Sequence, residues 1–123
     1  MKIEYTRHME TQTNKIVTQT WETLCLAFPK LIRFDPPIVK INNRIYRTAG
    51  RCFIEHNSID LSAKLLAKHN TEMLTVILPH EIAHQADYNL NGMPKNNRWH
   101  GNNWAIIMHA LDLPANPYHN MEL

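Results

Sequence analysis

The sequence predicts an α+β fold in a single domain over residues 1–123. Its length suits one hydrophobic core and is too short for two. Hydrophobic residues make up 44% and charged residues 20%, a balance typical of folded globular proteins rather than disordered ones. Helical periodicity at both ends of the chain flanks a middle stretch rich in β-branched and aromatic residues. An N-terminal helix, a small sheet and C-terminal helices are therefore expected.

The first predicted helix spans residues 11–28, where apolar side chains recur at three- and four-residue steps. Pro29 and the following "DPP" end it. Three strands come next: "IVKIN" (38–42), "RIYRTAGRCFIEH" (44–56) and "SIDLS" (58–62). We expect them to form an antiparallel meander. Gly50, inside the second strand, indicates a bulge or a close approach of backbone or ligand.

Ser62 can cap a short helix over residues 63–69. Asn70 or Thr71 can cap a longer helix to Asn89–Leu90, in which Pro79 predicts either a kink or the first turn of a fresh segment. A polar loop over 92–99 precedes a last helix, which opens at Gly101 or Asn102, runs through Leu113 and is ended by Pro114.

The long helix carries "HEIAH" within a surface that is apolar nearly all round, which predicts burial. His80 and His84 are four residues apart and share a helix face, as two ligands of a tetrahedral zinc ion require. Glu81, about 100° around the helix, can reach the water that zinc activates without ligating the metal. The alternative is a pair of core histidines bonded to backbone carbonyls, with a separately satisfied carboxylate.

A catalytic zinc needs a third protein ligand, and the downstream candidates are Asp87, His100, His109 and His119. His100 is favoured because it follows a loop that can fold back and precedes Gly101, which permits close backbone approach. Asp87 lies two turns from His80 and suits orienting a ligand histidine better than binding the metal. His109 is interpreted as a helix-face or core residue.

The order "LPHEIAHQ", a loop and "WHGNNWAIIMHALDLP" resembles the SprT-like metalloprotease family, as does the upstream "AGRCFIEHNSIDLS". The resemblance covers residues 48–119 and implies a zincin-like fold. It also implies that His80, His84 and His100 bind one zinc ion, that Glu81 is the general base, and that His119 lies near the site. Asn103 stands where the family often has glutamate. The chain ends at Leu123 without the family's cysteine-rich zinc ribbon, so only the protease core is expected.

The predicted function is zinc-dependent peptide hydrolysis, with an extended substrate added to the strand near Phe53–His56 or to "SIDLS". Tyr118 or His119 is expected to stabilise the oxyanion. The resemblance implies substrates bound or crosslinked to DNA. Two alternatives remain: a non-catalytic zinc module with Asp87 or His119 as fourth ligand, and a protease that cleaves a repressor or regulator independently of DNA.

The charge and the cysteines of the chain limit which partners it can bind and in which cellular compartment it is expected. The net charge of +2 and pI near 8.6 are only mildly basic. Trp99 is expected to stack on a base or, more simply, to pack over the zinc helix. Cys25 and Cys52 are interpreted as reduced structural thiols. The sequence has no signal peptide and no long apolar run, which predicts a cytoplasmic protein without membrane contact. Weak nucleic-acid contact, or simply a solvated face, is expected at Lys40, Arg44, Arg47, Arg51, Lys95 and Arg98.

Overall fold

A computed structural model of the chain describes residues 3–118 and 121. It has the predicted α+β architecture, in which helices surround a three-stranded sheet. The single-turn π-helix Met73–Ile77 joins the helical segments Asn70–Glu72 and Leu78–Asn91, so the backbone is helical from Asn70 to Asn91. The elements are α1 (Ile3–Ala27), β1 (Ile38–Asn42), β2 (Gly50–Phe53), β3 (Ser58–Ser62), α2 (Ala63–Lys68), α3 (Asn70–Glu72), the π turn (Met73–Ile77), α4 (Leu78–Asn91) and α5 (Asn102–Ala110).

Helix α1 begins eight residues earlier than the predicted start at residue 11 and ends at Ala27. The fully buried Met9 continues the apolar stripe of Val17 and Leu24 into this extra length. Polar residues around Met9 hid that continuation from the sequence pattern. After α1, a 3₁₀ turn begins at Pro29, and the indole N–H of Trp21 donates to the backbone oxygen of Phe34 at 3.2 Å.

The sheet is mixed, so the predicted antiparallel meander is wrong. Its strand order is β1-β3-β2, with β1 parallel to β3 and β2 antiparallel to β3. The backbone between β1 and β2 crosses the end of β3, where the Ser62 hydroxyl donates to Ile45 O and the Ser62 N–H to Ala49 O. Local sequence pattern cannot reveal this crossing, because it depends on contacts between distant residues.

Strand β2 is also shorter than the predicted segment 44–56. The first half of the predicted segment forms the crossing loop instead. The last three residues of that segment, Ile54–His56, form a 3₁₀ turn. Asn57 then takes a left-handed conformation with φ 51°, which turns the chain into β3. Gly50 opens β2 instead of forming a bulge within a longer strand.

Pro79 lies in the first turn of α4, directly after the π turn. The Leu78 N–H donates to Met73 O, a five-residue step that lets the helix continue although proline lacks its own N–H. The prediction of a fresh segment with Pro79 near its start is confirmed. Every residue of α4 from Leu78 to Asp87 is buried. Helix α4 packs against α1, α5 and β2, so it is the central element of the fold.

Helix α5 ends at Ala110, three residues before the predicted Leu113. Asp112 adopts a left-handed conformation with φ 58°, and the Leu113 N–H donates back to Met108 O. Such a reversal ends the helix before Pro114 is reached. The predicted Ser62 cap of α2 is confirmed, because its hydroxyl accepts from Leu65 N–H at 3.2 Å.

Cys25 and Cys52 are both free thiols and half-buried. Across residues 3–118, no helix combines the length and the apolar character needed to cross a bilayer.

Candidate metal centre

Three histidine side chains converge at the middle of α4. His80 and His84 stand one turn apart on the helix, and His100 reaches them from the turn before α5. Their Nε2 atoms form a nearly equilateral triangle: 3.1 Å from His84 to His80, 3.1 Å from His84 to His100 and 3.2 Å from His100 to His80. The structure thus brings together the three residues that the sequence singled out as ligands.

This triangle fits a bound metal ion. Three facing ring nitrogens cannot all satisfy one another by hydrogen bonding, since each contact needs a proton from one side. A tetrahedral zinc ion with Zn–N bonds of about 2.0–2.1 Å requires nitrogen–nitrogen separations of roughly 3.3–3.4 Å, close to those observed. Among the residues described, these histidines are the group of potential ligands close enough to hold one ion.

Desolvation favours the neutral form of all three imidazoles, as metal ligation requires, although His100 is more exposed than His80 and His84. His80 and His84 are only 9% and 8% exposed. Desolvation, with a contribution from His100, lowers the pKa of His80 to about 4. Desolvation and the two neighbouring imidazoles lower the pKa of His84 to about 3, and desolvation also lowers the pKa of His100. At neutral pH the metal therefore does not have to displace a proton from any of the three rings.

Glu81 lies beside the triad without joining it. Its Oε2 atom is 3.8 Å from His80 Nε2, and the side chain is buried. Desolvation raises the pKa of Glu81 to about 7. Gly50 of β2 makes room for this carboxylate, because a Cβ there would lie 3.2 Å from Glu81 Cγ and 3.3 Å from the backbone oxygen of Asp60. The sequence predicted a bulge or a close approach of backbone or ligand at Gly50; the structure instead places the Glu81 side chain there, with the Asp60 backbone oxygen of the neighbouring strand also close.

Trp104 is a site residue that the sequence prediction left unassigned. Its ring, 1% exposed, lies 4.8, 5.4 and 4.7 Å from the ring centroids of His80, His84 and His100. Its indole N–H donates to His80 O at 3.4 Å. One rigid side chain therefore contacts all three candidate ligands. The available signal was an aromatic residue four positions after His100, at the start of a helix.

The triad and Glu81 line a cavity of about 290 Å³, which also contacts Gly50 and Tyr118. Tyr118 is 82% exposed, so its hydroxyl can move toward a ligand in this cavity. His119, the other candidate for the oxyanion, lies outside the described residues.

Asp87 and His109 are placed away from the triad. Asp87 is buried, accepts a 2.9 Å hydrogen bond from the Asn91 amide and lines a separate cavity against the 92–103 loop. No hydrogen bond joins it to a ligand histidine within the described part of the chain. Burial raises its pKa, against the lowering effect of the Asn91 hydrogen bond. His109 is exposed on α5, as the interpretation of a helix-face residue predicted.

A second cavity of about 500 Å³ shares Glu81 and His84 with the first. Apolar side chains from two segments form its walls, and we call it the apolar pocket: Phe53 and Ile54 at the end of β2, and Met93 and Trp99 from the loop after α4. Trp99 lines this pocket together with Glu81 and His84 of α4, and the two roles expected for it stay predictions.

Gln85 lies on α4 and is 1% exposed. Its side chain links one wall of the apolar pocket to this helix by hydrogen bonds. Its amide nitrogen donates to Ile54 O and to Asn89 Oδ1, both at 3.0 Å, and its oxygen is 3.5 Å from Cys52 Sγ. Burial, with a contribution from Glu81, raises the pKa of Cys52 to about 12, so its thiol stays protonated. The sequence signal was a polar amide in an otherwise apolar helix, which demands buried partners.

The six basic residues do not form one surface cluster on a single element. Lys40 and Arg51 are exposed and lie on β1 and β2, in register with Asp60 of β3. Arg44 and Arg47 lie in the loop before β2, where the Arg47 guanidinium is 5.8 Å from the exposed Tyr46 ring. Lys95 and Arg98 lie in the loop that carries His100.

The chain matches a sequence model of the SprT-like family over residues 8–120. Three relatives, each named Protein SprT, illustrate the similarity. That of Actinobacillus succinogenes is 33% identical over 61% of this chain and 43% of its own. The relative from Glaesserella parasuis is 33% identical over 70% of this chain and 53% of its own length. The relative from Vibrio atlanticus is 27% identical over 91% of this chain and 66% of its own length.

The chain thus spans about half the length of the first two of these relatives and about two thirds of the third. No solved structure matches it.

Proposed function

The chain belongs to the SprT-like family, and from this membership and the geometry of its histidine triad we propose that it is a zinc-dependent metallopeptidase. The observation that carries the proposal is the convergence of three neutral Nε2 atoms beside the buried carboxyl of Glu81. A purely structural site closes its coordination sphere with a fourth protein ligand, whereas this group has three among residues 3–118 and 121, which the structure describes.

Zinc is the proposed ion because three imidazoles at tetrahedral spacing suit it, and it is a common partner of such donor sets. His80, His84 and His100 would hold one ion. The chemistry that zinc supplies when bound is Lewis acidity, which polarises a carbonyl and lowers the pKa of a water toward about 7.

Glu81 is the proposed general base and acid. Its carboxylate accepts a proton from the attacking water, whose oxygen forms a bond to the scissile carbonyl carbon. The protonated carboxyl then donates that proton to the amide nitrogen as the C–N bond breaks. Both steps need a carboxyl that lies beside the metal ligands without binding the ion, as Glu81 does with its Oε2 atom 3.8 Å from His80 Nε2.

We propose that the substrate chain adds to the free edge of β2. This strand is at the end of the sheet order, and Gly50 lies against Glu81. The other predicted edge, "SIDLS", is excluded because it is β3, paired on both sides. Backbone hydrogen bonds to an edge strand hold an extended peptide with little dependence on its sequence.

Tyr118 is the proposed oxyanion stabiliser. It lines the cavity of the triad, and a phenol O–H can donate a hydrogen bond to an oxyanion. His119 remains a second candidate for that role on resemblance alone.

The proposed substrates are proteins bound or crosslinked to DNA, encountered in the cytoplasm near the nucleoid. Support for this class comes from the family resemblance and from two basic loops: Arg44 and Arg47 precede Thr48, which lines the cavity of the triad, and Lys95 and Arg98 line the separate cavity beside Asp87. The relatives' names state no substrate. A protease that cleaves a regulator without DNA would use the same residues at the metal centre.

The test compares wild type with Glu81→Gln on a DNA-binding protein, with and without single-stranded DNA. Zinc content of each protein is measured first. We expect equal zinc, cleavage by wild type that DNA accelerates, and a loss of at least about 100-fold in Glu81→Gln.

Each outcome separates a candidate function. Equal rates in the two proteins would remove Glu81 from the base role. Cleavage by wild type that ignores DNA would favour the regulator-cleaving protease. Zinc binding without cleavage of either form of the substrate would favour the non-catalytic zinc module.

A further inference from the structure

The apolar pocket adjoins the reacting centre directly. Glu81 and His84 line both this pocket and the cavity of the triad, so a group in the pocket lies next to the proposed base. Its volume of about 500 Å³ falls in the range typical of pockets that bind ligands, roughly 300–1,000 Å³. A side chain of a substrate held beside Glu81 has this space available.

The walls of the pocket expose large apolar side chains to solvent. Phe53 is 40% and Met93 59% exposed, and neither belongs to the hydrophobic core cluster. Trp99 completes this apolar lining from the same loop as Met93. Clustered exposed apolar groups at a concave site indicate a binding surface, because leaving them in water is unfavourable.

One wall is held in place before any ligand binds. Gln85 donates from a fully buried position to Ile54 O, and Asn89 accepts a second hydrogen bond from the same amide. The end of β2 is therefore fixed relative to α4 at the point where the pocket begins. A wall fixed in this way binds a ligand without an ordering cost.

We propose that the apolar pocket binds a bulky apolar side chain of the substrate, such as leucine, methionine or phenylalanine, next to the peptide bond that is cleaved. This inference rests on the proposed peptidase function. An acidic side chain is disfavoured there, because the carboxylates of Glu55 and Glu81 line the same pocket. The β2 edge then supplies sequence-independent binding, and the pocket supplies the side-chain preference.

The first experiment measures kcat/KM for fluorogenic peptides that differ at one position, leucine, phenylalanine, alanine or aspartate. Wild type is expected to cleave the leucine or phenylalanine peptide at least about tenfold faster than the alanine peptide. Met93→Ala and Phe53→Ala are expected to reduce that ratio by about threefold or more. Ile106→Ala is the matched control, since Ile106 is 55% exposed on α5 and does not line the pocket, and it should keep the wild-type ratio.

The second experiment measures binding without catalysis. Metal-loaded Glu81→Gln protein is titrated with the leucine and alanine peptides while tryptophan fluorescence is followed. The leucine peptide is expected to change the emission at a concentration where the alanine peptide does not. Trp99→Phe in the same background should lose the change, because Trp99 is the tryptophan that lines the pocket.

The two experiments distinguish the inference from the function on which it rests. Equal cleavage of all peptides, or an apolar preference that survives both Met93→Ala and Phe53→Ala, would overturn the inference and leave the peptidase function intact. If wild type cleaves nothing, the peptidase function fails, and the titration decides the pocket. A change in Trp99 fluorescence with the leucine peptide but not with the alanine peptide would support the proposed apolar pocket. No change with either peptide would overturn that proposal.

Discussion

Glu81 is an ionisable residue whose burial reduces the free energy of unfolding when its carboxyl is ionised. Burial raises its pKa to about 7, so the ionised carboxylate is unfavourable where it lies. Gly50 supplies the space for it, and no substitution of Gly50 leaves that space unchanged. Such a placement fits a group selected for proton transfer rather than for stability.

Replacing Glu81 by glutamine should stabilise the metal-free protein at pH 8, by on the order of 1–3 kcal/mol, because a neutral amide replaces a buried carboxylate. Its folded pKa is raised, so in wild type this group favours unfolding as pH rises from about 4.5 to 7. His80 and His84, with lowered pKa values, favour unfolding as pH falls below 6.5. Urea unfolding from pH 8 to 5 should therefore show a steeper loss of stability toward acid in Glu81→Gln. Parallel curves would contradict this.

Gly50→Ala should displace Glu81, since the added methyl group meets Glu81 Cγ at 3.2 Å and the Asp60 oxygen at 3.3 Å. We expect kcat to fall by about tenfold or more while zinc affinity stays close to wild type, because the ligands lie elsewhere. Initial rates and a chelator competition measure both quantities. An unchanged kcat would show that Glu81 tolerates the displacement.

Trp104→Ala should weaken zinc binding by about 10–100-fold, the effect typical of losing a group that orients ligands. The three histidine rings lose their shared contact, whereas Trp104→Phe should retain most of it. Trp21→Ala is the control, because Trp21 is also buried, at 6% exposure, but donates its indole N–H to Phe34 O away from the site. Chelator competition gives the affinities, and circular dichroism verifies the fold. Equal affinity in Trp104→Ala would remove Trp104 from a positioning role.

At the scale of elements, the helix that carries His80 and His84 was predictable and the sheet was not. The run from Asn70 to Asn91 follows from local periodicity, capping and an apolar surface, all of which lie in contiguous sequence. Strand β1 pairs with β3 across a crossing loop, and that choice is decided by contacts such as Ser62 with Ile45. Likewise, helix geometry predicted that His80 and His84 share a face. It could not predict that Gln85 forms a hydrogen bond to Ile54, the residue after β2.

The connection between α4 and β2 gives a prediction at this scale. Gln85→Met keeps the approximate size but removes the hydrogen bonds to Ile54 and Asn89. The end of β2 should loosen, so KM for protein substrates should rise by about tenfold while kcat changes less. Asn89→Ala, which removes only one of these bonds, should have a smaller effect. A Gln85→Met enzyme with wild-type KM would contradict the role given to β2.

At the scale of the whole molecule, the candidate site is assembled from β2, α4 and the segment that leads into α5. Residues 50, 81, 84 and 100 converge although up to 50 positions separate them in sequence. The motif and the spacing to His100 predicted the ligands, while the contributions of Gly50, Trp104 and the apolar pocket depend on how these segments pack. Metal binding joins α4 to the loop that carries His100, so it should stabilise the fold as a whole.

Zinc at about 100 times its Kd should raise the free energy of unfolding by about 2.7 kcal/mol. Hydrogen exchange should slow most in α4 and residues 92–101. An unchanged melting temperature on chelation would contradict this coupling.

Zinc affinity of His100→Ala beside His109→Ala tests the central claim, a three-histidine metal centre, most directly. Both substitutions remove one imidazole from the C-terminal part of the chain, but only His100 has its Nε2 within 3.2 Å of those of His80 and His84. Wild type and His109→Ala are predicted to bind one zinc per chain with equal affinity, and His100→Ala to bind at least about 100-fold more weakly. Wild-type affinity in His100→Ala, or a comparable loss in His109→Ala, would contradict the account.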